Sequence, residues 1–386
     1  MVVRKAKAPN SPELLLFAAS ETDADAYYFG QVFVPDSFIA FSQEGKRVAV
    51  VNQLEYSRVR KDSAYDEVLA LEDWLPVARS KGAKGAAVFP AGVIAAVASA
   101  RGIDRFCIPE NFPAGVAFQL LELGLYLEPV SGALFPERER KDDNEAKAIR
   151  QGNAASAAGF RAFEKMLRAA KIDGNRLVFE GRPLTSERVR QQIEIACVER
   201  GAQALNPIVA GGDQACDPHC RGSGLLRPHE LIIVDIFPRV TATGYHGDMT
   251  RTYLKGRPSE AQKGLVQTVL DAEQWALGEH RAGKSGRKIY EGVQQRFVDA
   301  GYETHRDTAG NPVGFFHGLG HGLGLEVHEA PRVNRQGERL RKGQVITVEP
   351  GLYYPGLGGC RFEDVVRVTN GDPEMLSKHP YRWHIR

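Results

Sequence analysis

The sequence of 386 residues lacks any apolar run approaching the roughly 20 residues that a membrane-spanning helix needs. It also lacks an excess of charge of one sign, because 50 lysines and arginines balance 48 aspartates and glutamates to a net charge of +2. Without a basic surplus there is no electrostatic reason to expect nucleic acid or an anionic membrane as a partner. The charged start "MVVRKAKAPNSPE" is not followed by an apolar signal core, and five scattered cysteines do not form a disulfide framework. We therefore expect a cytoplasmic protein that binds neither nucleic acid nor membrane.

The length is sufficient for two domains, since single hydrophobic cores stop growing near about 250–300 residues. The first part of the chain alternates short apolar runs, predicted as strands, with helical stretches near 66–79 and 91–101. The charge-dense segment "PERERKDDNEAK" (136–147) then marks a boundary before a long alanine-rich helix. We predict an N-terminal α/β domain over residues 1–138 and a second domain over 139–386.

The second domain has helix signals and strand signals in alternation. The alanine-rich helix is expected to end near residue 171, and serines predicted to cap three further helices are Ser186, Ser259 (with Gln262) and Ser285. Between the helices, "LIIVDIF" pairs with "DMTRTYL", and "VITVEPGLY" pairs with "CRFEDVVRV", as antiparallel strands. The pattern predicts one α/β layer arrangement used twice.

The segment "HGLGHGLGLEVHE" (317–329) contains three histidines interleaved with glycines. A helix is disfavoured, because each interior glycine costs about 1 kcal/mol relative to alanine. In an extended segment, His317 and His321 share one face with the leucines, and the opposite face is bare glycine that another backbone can approach. We predict that a closely packed strand or loop presents His321.

Acidic residues stand at the ends of apolar runs in this domain. Asp235 follows "LIIV", Glu349 follows "VITV", and Glu363 precedes "DVVRV". A buried carboxylate is costly unless it is paired, hydrogen-bonded or bound to a metal. Asp235 and Asp248 lie 13 positions apart across one strand pair, and Glu349 and Glu363 lie 14 apart across the other. Taken singly, each acid is more often structural, but four acids with one glycine-bound histidine indicate a metal site.

Carboxylates with one imidazole suit Mn²⁺, Co²⁺, Fe²⁺ or Zn²⁺. Four carboxylates are too many for one ion, whereas two ions about 3.5–4 Å apart would balance the charge. A different metal site is conceivable at "CDPHC", where Cys216, His219 and Cys220 resemble half of a zinc knuckle. A structural zinc site usually needs a second ligand pair, and none has suitable spacing.

Four segments together resemble the dinuclear metallopeptidases with the pita-bread fold, specifically the branch of Xaa-Pro aminopeptidases and prolidases. They are "TGYHGDMTRTY", "HGLGHGLGLEVHE", "TVEPGLY" and "GLGGCRFEDVV". The resemblance covers about residues 142–375, and the first 135 residues resemble that branch's N-terminal domain only in size and element order. It implies a creatinase-like N-terminal α/β domain followed by a pita-bread catalytic domain with pseudo-two-fold α/β halves.

The resemblance also implies a role for each matching position. Asp248 and Glu363 would bridge two ions, and the full ligand set would be Asp235, Asp248, His321, Glu349 and Glu363. Glu349 would also move the proton, and Arg361 would lie behind the ligands. The residues implied to line the substrate site are His219, His317 and His328. Alternative interpretations remain for three of these side chains: a polar loop residue for His219, a core histidine for His328, and a surface charge for Arg361.

The implied activity is hydrolysis of the bond between an N-terminal residue and a following proline by a homodimeric enzyme with two divalent ions. Manganese is the first expectation, with cobalt, zinc or iron as alternatives, and the substrates would be short peptides with proline second. Other possible functions are a dipeptidase (prolidase), a broader aminopeptidase, a non-peptidase metalloenzyme acting on a small molecule, and a non-catalytic binding module. Two departures from the family pattern bear on substrate preference: Phe237 replaces a common glycine, and the Asp235 to Asp248 spacing is longer than usual.

Overall fold

The computed structural model describes residues 12–386, which form two compact units that divide between Pro136 and Glu137. The first eleven residues, which hold most of the charged start, lie outside the described part of the chain. That residues 1–138 and 139–386 are domains that each fold on their own stays a prediction. A short 3-10 helix, Pro136–Glu139, spans the division between the units.

The N-terminal unit is built on a six-stranded mixed sheet with the order β4-β3-β2-β1-β5-β6. Strands β1 to β3 are antiparallel neighbours, whereas β4, β5 and β6 each join the sheet in parallel. Its elements are β1 Glu13–Ala18, α1 Ala24–Gly30, β2 Phe38–Gln43, β3 Lys46–Val51, α2 Gln53–Asp62, β4 Glu67–Ala70, α3 Leu71–Ser80, α4 Ala91–Arg101, β5 Arg105–Pro109, α5 Ala114–Glu122 and β6 Tyr126–Val130. Apolar side chains pack on both sheet faces, as expected for an α/β domain.

One prediction in this unit is wrong and one is confirmed. The stretch 66–79 is not a single helix, because Glu67–Ala70 form strand β4 and the helix begins at Leu71. Pairing of β4 with β3 in parallel overrides the helical pattern there. The helix predicted over 91–101 is present with those bounds. In the described residues no single helix has the length and apolar character to cross a membrane, although the bent pair Leu71–Ser80 and Gly85–Arg101 meets that test together.

The C-terminal unit contains four long helices: α6 Asp143–Ala169, α7 Ser186–Val198, α8 Glu260–Glu279 and α9 Gly286–Asp299. The capping box at Ser259 and the cap at Ser285 are confirmed. The predicted cap at Ser186 is wrong, because the Thr185 hydroxyl accepts the hydrogen bond from the Arg188 backbone N–H. Threonine and serine are both favoured N-cap residues, so the sequence Thr-Ser does not indicate which of the two caps the helix.

The strands of this unit form two principal sheets, ordered β11-β12-β14-β24 and β18-β17-β19-β22-β23, with smaller ribbons around them. In chain order they are β7 Lys171–Asp173, β8 Arg176–Phe179, β9 Arg182–Pro183, β10 Ala202–Gln203, β11 Ile208–Gly211, β12 Leu231–Ile236, β13 Arg239–Val240, β14 Met249–Lys255, β15 His305–Arg306, β16 Pro312–Val313, β17 Gly320–Gly322, β18 Glu329–Val333, β19 Val345–Val348, β20 Gly351–Tyr354, β21 Gly358–Arg361, β22 Asp364–Arg367, β23 Glu374–Met375 and β24 His384–Ile385.

Each principal sheet packs its own pair of helices. Phe160 of α6 and Ile193 of α7 share a buried core with the first sheet, and Val269 of α8 and Val293 of α9 share another with the second. The predicted strand pairs are present, with β12 antiparallel to β14 and β19 antiparallel to β22. The prediction that one α/β layer is used twice is therefore confirmed, and the two layers bring four strand ends to the same region.

The glycine-rich segment is extended, as predicted. Gly320–Gly322 form β17, which lies between β18 and β19. A Cβ atom on Gly320 would lie 1.9 Å from the Thr347 carbonyl oxygen, and one on Gly322 would lie 2.0 Å from that of Ala330. Only glycine leaves room for the two neighbouring backbones, which fixes His321 between them.

Candidate metal centre

The five predicted donors stand where strands of the two principal sheets meet. Asp235 is near the end of β12, Asp248 immediately precedes β14, and His321 is the middle residue of β17. Glu349 directly follows β19, and Glu363 directly precedes β22. The Glu363 backbone N–H donates to the Thr250 carbonyl at 3.1 Å, a bridge that joins the two sheets beside these side chains.

The donor atoms converge. Ligand atoms of Asp248, His321 and Glu363 all lie within 4.8 Å of one another. The His321 Nε2 atom is 3.4 Å from Oε1 of Glu349 and 3.9 Å from Oδ2 of Asp248. The structure thus brings together the side chains that the sequence proposed as ligands, and their roles as ligands stay predictions.

The carboxylates are crowded and mostly buried. Burial and the neighbouring charges of Glu363 and Asp235 raise the pKa of Asp248 well above its usual range, and burial with Glu349 does the same for Glu363. Burial also raises the pKa of Glu349 to about 7, although the Arg361 charge opposes the rise. Such a cluster is unfavourable without added positive charge.

The donor chemistry fits bound divalent cations. The Asp235 Oδ1 atom is buried and has no hydrogen-bond partner among the described residues, so one lone pair of this carboxylate is available to a cation. Four carboxylates and one imidazole match the donors that first-row divalent ions accept. A cation among them would relieve the repulsion that raises the carboxyl pKa values.

His321 is held in its neutral form. Its Nδ1–H donates to the Gly322 carbonyl at 3.1 Å, and since a carbonyl only accepts, Nε2 is the unprotonated nitrogen facing the carboxylates. Burial lowers the pKa of His321 to about 3, with the His328 charge acting in the same direction. A metal-binding histidine is ordinarily fixed in this way by a hydrogen bond from its other nitrogen.

Arg361 forms buried hydrogen bonds that orient the proposed donors. Its guanidinium donates to Asp235 Oδ2 at 2.8 Å, to the Tyr353 hydroxyl at 2.9 Å and to Thr250 Oγ1 at 3.2 Å. The Thr250 hydroxyl in turn donates to Glu363 Oε2 at 2.7 Å. At 3% exposure Arg361 is not a surface charge, so that alternative interpretation is wrong.

His317 belongs to the same hydrogen-bonded chain. Its Nδ1–H donates to the Gly318 carbonyl at 2.7 Å, and the Tyr353 hydroxyl donates to its Nε2 at 2.9 Å. Burial, followed by the Arg361 charge, lowers the pKa of His317 to about 3. The imidazole is therefore neutral and oriented, without being one of the proposed ligands.

His328 and His219 are the exposed histidines of the site. The His328 ring stands edge-on to that of His321, with 4.4 Å between the ring centroids, and burial lowers its pKa. An exposed His328 is not a core histidine, so that alternative is wrong. A positive charge on His219 would act on both His317 and His328 in the direction that lowers their pKa values. The zinc knuckle is not formed, because in residues 12–386 only Asp248, His321 and Glu363 have the geometry of three ligands to one ion.

Four supporting residues were not identified from the sequence: Tyr353, Thr250, Asn153 and Arg251. The Asp248 backbone N–H donates to Asn153 Oδ1 at 2.8 Å, and Arg251 donates to the Glu363 carbonyl at 2.7 Å. Arg251 could have been identified from the sequence, because an arginine inside the predicted strand "DMTRTYL" must be paired when it is buried. Asn153 could not, since it lies in an ordinary helical pattern.

The long connection from Asp235 to Asp248 folds back on the protein. The Gly247 N–H donates to the Pro238 carbonyl at 2.9 Å, and a Cβ atom on Gly152 of α6 would lie 2.3 Å from the Gly247 nitrogen. The extra residues are thereby packed beside α6, and Asp248 remains in the cluster. Phe237, at the start of this connection, is partly buried.

Clustered carboxylates and a neutral imidazole, supplied by two α/β layers and flanked by further histidines, define a metal-dependent hydrolase. The sequence profile of metallopeptidase family M24 matches residues 147–370, and the chain belongs to that family. The family is dinuclear and metal-dependent, so the predicted class of enzyme is confirmed and the non-catalytic module is not supported.

Relatives and solved structures agree with this placement. The chain is 34% identical to an Xaa-Pro dipeptidase of Pyrococcus horikoshii over 72% of this chain and 74% of the relative. It is 32% identical to an Xaa-Pro dipeptidase of Pyrococcus furiosus over 49% of this chain, and so spans about half (53%) of that relative. The structure of an Xaa-Pro dipeptidase from Bacillus anthracis superposes with a TM-score of 0.79 at 23% identity, covering 97% of this chain and 95% of that one. The predicted pita-bread fold is confirmed.

Proposed function

We propose that this protein hydrolyses the peptide bond between an N-terminal residue and a following proline, with two divalent metal ions held by the clustered donors. The observation that supports this most is the convergence of the carboxylates and His321 beside three further histidines. The donor set proposed to hold the ions is Asp235, Asp248, His321, Glu349 and Glu363.

Divalent ions, when bound, would lower the pKa of water toward about 7 and polarise the substrate carbonyl. Glu349 accepts the proton of the attacking water on a carboxylate oxygen and passes it to the departing proline nitrogen. The His328 imidazole donates its N–H to the carbonyl oxygen as that oxygen becomes negative. Arg361 and Thr250 hold the carboxylates of Asp235 and Glu363 in fixed orientations.

Proline in the second position explains the additional histidines. An Xaa-Pro amide has no N–H, so no acceptor can hold its nitrogen, and the bond is positioned by shape and by contacts to its carbonyl. His219 and His328 are the side chains proposed to make such contacts, whereas His317, whose two ring nitrogens are already hydrogen-bonded, would line the substrate site by its shape. The named relatives are Xaa-Pro dipeptidases, which supports proline-containing dipeptides as one substrate class.

A peptide panel tests the proposal and separates its variants. Ala-Pro, Ala-Pro-Ala and matched Ala-Ala peptides would be compared with Mn²⁺, Co²⁺ and Zn²⁺ present in turn. Cleavage of Ala-Pro alone would define a dipeptidase, and cleavage of Ala-Pro-Ala an aminopeptidase. Faster cleavage of the Ala-Ala series would instead indicate a broad aminopeptidase, with Phe237 as the first residue to replace by glycine. No cleavage of any peptide by metal-loaded protein would contradict the proposal and favour a small-molecule hydrolase.

Metal content is a separate test. We expect about two divalent ions per chain, with Mn²⁺ giving the highest activity, because four carboxylates balance two divalent charges. Asp248→Asn and Glu363→Gln should each lower the occupancy of both ions, since both residues are proposed to bridge. Elemental analysis that finds about one ion per chain, unchanged when Mn²⁺ or Co²⁺ is added, would contradict the bridged site.

We further propose that the protein is a cytoplasmic homodimer. All five cysteines are free, which suits a reducing compartment. The dimer rests on the resemblance to the Xaa-Pro aminopeptidase and prolidase branch. Light scattering on the purified protein and fractionation of the source cells test the two statements, and a monomeric mass or a secreted protein would contradict them.

A further inference from the structure

A cavity of about 640 Å³ lies in the C-terminal unit, and none of the proposed metal donors lines it. Its walls come from one face of α6, from Arg200 just after α7, and from the segment 375–381. The volume is within the range of about 300–1,000 Å³ that small-molecule sites occupy. The proposed peptidase mechanism makes no use of this space.

The charges of the cavity lining are predominantly positive. Arg161, Arg200 and Lys378 are exposed, and in the described part of the chain no carboxylate lies within salt-bridge distance of any of them. Arg150 also lines the cavity and pairs with Glu374. Since the whole chain carries a net charge of only +2, this concentration of cations is local. A concave surface lined by one sign of charge attracts ions of the opposite sign.

The acid of the lining does not cancel these charges. Asp364 is 1% exposed and accepts from Arg251 at 3.0 and 3.1 Å. It also accepts from the hydroxyls of Ser377 at 2.5 Å and Tyr381 at 2.6 Å. Its charge is thus already compensated within the protein, and the unpaired cations remain available to a ligand.

The rest of the lining is apolar. Ala154 and Ala157 face the cavity from α6, and Met375 and Leu376 face it from the opposite segment. The small alanine side chains leave the helix surface open between Arg150 and Arg161, which lie on the same helical face. A ligand that filled this space would place an apolar group against the alanines and its charge at the rim.

We propose that this cavity binds a small organic anion with two negative charges, phosphate or dicarboxylate, next to an apolar group. Arg161 and Arg200 contact the anion, because guanidinium groups form paired, charge-assisted hydrogen bonds with phosphate and carboxylate oxygens. The apolar group packs on Ala154 and Ala157.

Hydrogen bonds link residues of the cavity lining to the proposed metal centre. Asn153 lines the cavity and accepts the hydrogen bond from the Asp248 backbone N–H. Asp364 lines it as well, and its partner Arg251 donates to the carbonyl of Glu363. The cavity therefore adjoins the groups that fix the backbone at both Asp248 and Glu363.

Isothermal titration of the metal-loaded protein tests the binding without any peptide, so its outcome does not depend on the proposed peptidase function. Four probes separate the parts of the ligand: phenyl phosphate, inorganic phosphate, succinate and benzyl alcohol. We expect phenyl phosphate to bind with one site per chain, inorganic phosphate more weakly, and benzyl alcohol not at all. Neither succinate nor inorganic phosphate carries the apolar group, so tighter binding of succinate than of inorganic phosphate would assign the site to dicarboxylates, and weaker binding would assign it to phosphates.

Variants locate the site. The double change Arg161→Gln with Arg200→Gln should weaken phenyl phosphate binding about tenfold or more, because charge-assisted hydrogen bonds are lost. Ala154→Leu should also weaken it by filling the cavity without changing the charge. The matched control, Arg182→Gln with Arg257→Gln, removes two exposed arginines outside the cavity and should leave binding unchanged. No binding by the wild type, or equal binding by the wild type and the Arg161/Arg200 variant, would overturn the proposal, the second by placing the anion on the metal ions.

Discussion

Glu349 differs from the other carboxylates of the cluster in its access to solvent. Its side chain is 19% exposed, whereas those of Asp235 and Asp248 are 12% and 5% exposed, and Glu363 as a whole residue is 2% exposed. A carboxylate that exchanges protons with water and with a leaving group must be reached by both. At the scale of single residues, the proposed proton carrier is therefore the most exposed carboxylate of the cluster.

Glu349→Gln keeps the size of the side chain and one donor oxygen but removes the proton acceptor. We expect kcat for Ala-Pro to fall by about 100-fold or more. Elemental analysis and circular dichroism on the same sample would establish that metal and fold are retained. Activity within a few-fold of the wild type at full metal content would rule out the proton-transfer role.

Tyr353 connects Arg361 with His317 through one buried hydroxyl. Tyr353→Phe leaves the Arg361 Nη1 group and the His317 Nε2 atom without this partner, so we expect kcat to fall about tenfold and the free energy of unfolding to fall by about 1–3 kcal/mol. The neighbouring Tyr354 provides a matched control, because its hydroxyl donates to the Glu303 carbonyl at an exposed position. Equal effects of Tyr353→Phe and Tyr354→Phe on kcat would show that the buried hydroxyl does not orient the site.

At the scale of elements, β17 depends on the absence of side chains at both Gly320 and Gly322. Three strands meet there, and the carbonyl of Thr347 occupies the space that a Cβ atom of residue 320 would need. The position of His321 is thus determined by backbone packing on either side of it. Substitutions of the glycines in this strand should therefore disturb the metal centre without changing a proposed ligand.

Gly320→Ala should displace β17 from β19, because a Cβ atom 1.9 Å from a carbonyl oxygen cannot be accommodated without backbone movement. We expect metal occupancy and melting temperature both to fall. Gly278→Ala makes the same chemical change in α8, where no atom lies within 4 Å of the added Cβ, and should leave metal occupancy unchanged without lowering the melting temperature. Wild-type metal content in Gly320→Ala would show that the strand does not position His321.

Several elements were predictable because local chemistry and final structure agree. The capping box at Ser259 and the strands on either side of Asp235 and Asp248 were of this kind. The helix assigned near 66–79 was not, because only pairing with β3 makes Glu67–Ala70 a strand. The side chains that converge could be proposed as donors because acids at the ends of apolar strands demand a partner and because their segments resemble a known family. Tyr353 and Asn153 depend on three-dimensional contacts that leave no local pattern.

At the scale of the whole C-terminal unit, a buried ion-pair cluster joins the segment before α6 to β18. Glu329 accepts from Lys141 at 2.7 Å and from Arg138 at 2.5 Å, across 188 and 191 positions of the chain. Burial alone would raise the pKa of Glu329, but the positive charges of Lys141 and Arg138 outweigh it and hold the pKa below the ordinary value of 4.5. The cluster is therefore a pH-dependent contribution to stability.

The sign follows from the lowered pKa. The stabilisation by Glu329 is fully present above about pH 4.5 and is lost as the pH falls through the lower folded-state pKa. Near pH 7, Glu329→Gln should lower the free energy of unfolding by about 3–5 kcal/mol, because it leaves Lys141 buried without a counter-charge. Urea unfolding of wild type and variant between pH 3 and 7 should show this difference shrinking toward the acid end.

Glu326→Gln is the control for that series. Glu326 also contacts Arg138, at 3.0 Å, but its side chain is 60% exposed, so we expect a change of less than about 1 kcal/mol. A difference between wild type and Glu329→Gln that stays constant with pH would contradict the assigned pKa direction.

The proposed donors of the metal centre come from both layers of the C-terminal unit, from Asp235 to Glu363, and therefore from segments far apart in the chain. A partly folded chain in which only the first layer has formed holds two of the five proposed donors, and one in which only the second has formed holds three. Either chain should bind ions weakly. Ions should consequently act after the rate-limiting step of folding, and their binding energy should appear as slower unfolding with an unchanged refolding rate. Manual-mixing and stopped-flow experiments with Mn²⁺ or chelator present would show this as a shift of the unfolding limb alone. The life-time of the native protein, more than the speed of its formation, would then follow the supply of metal.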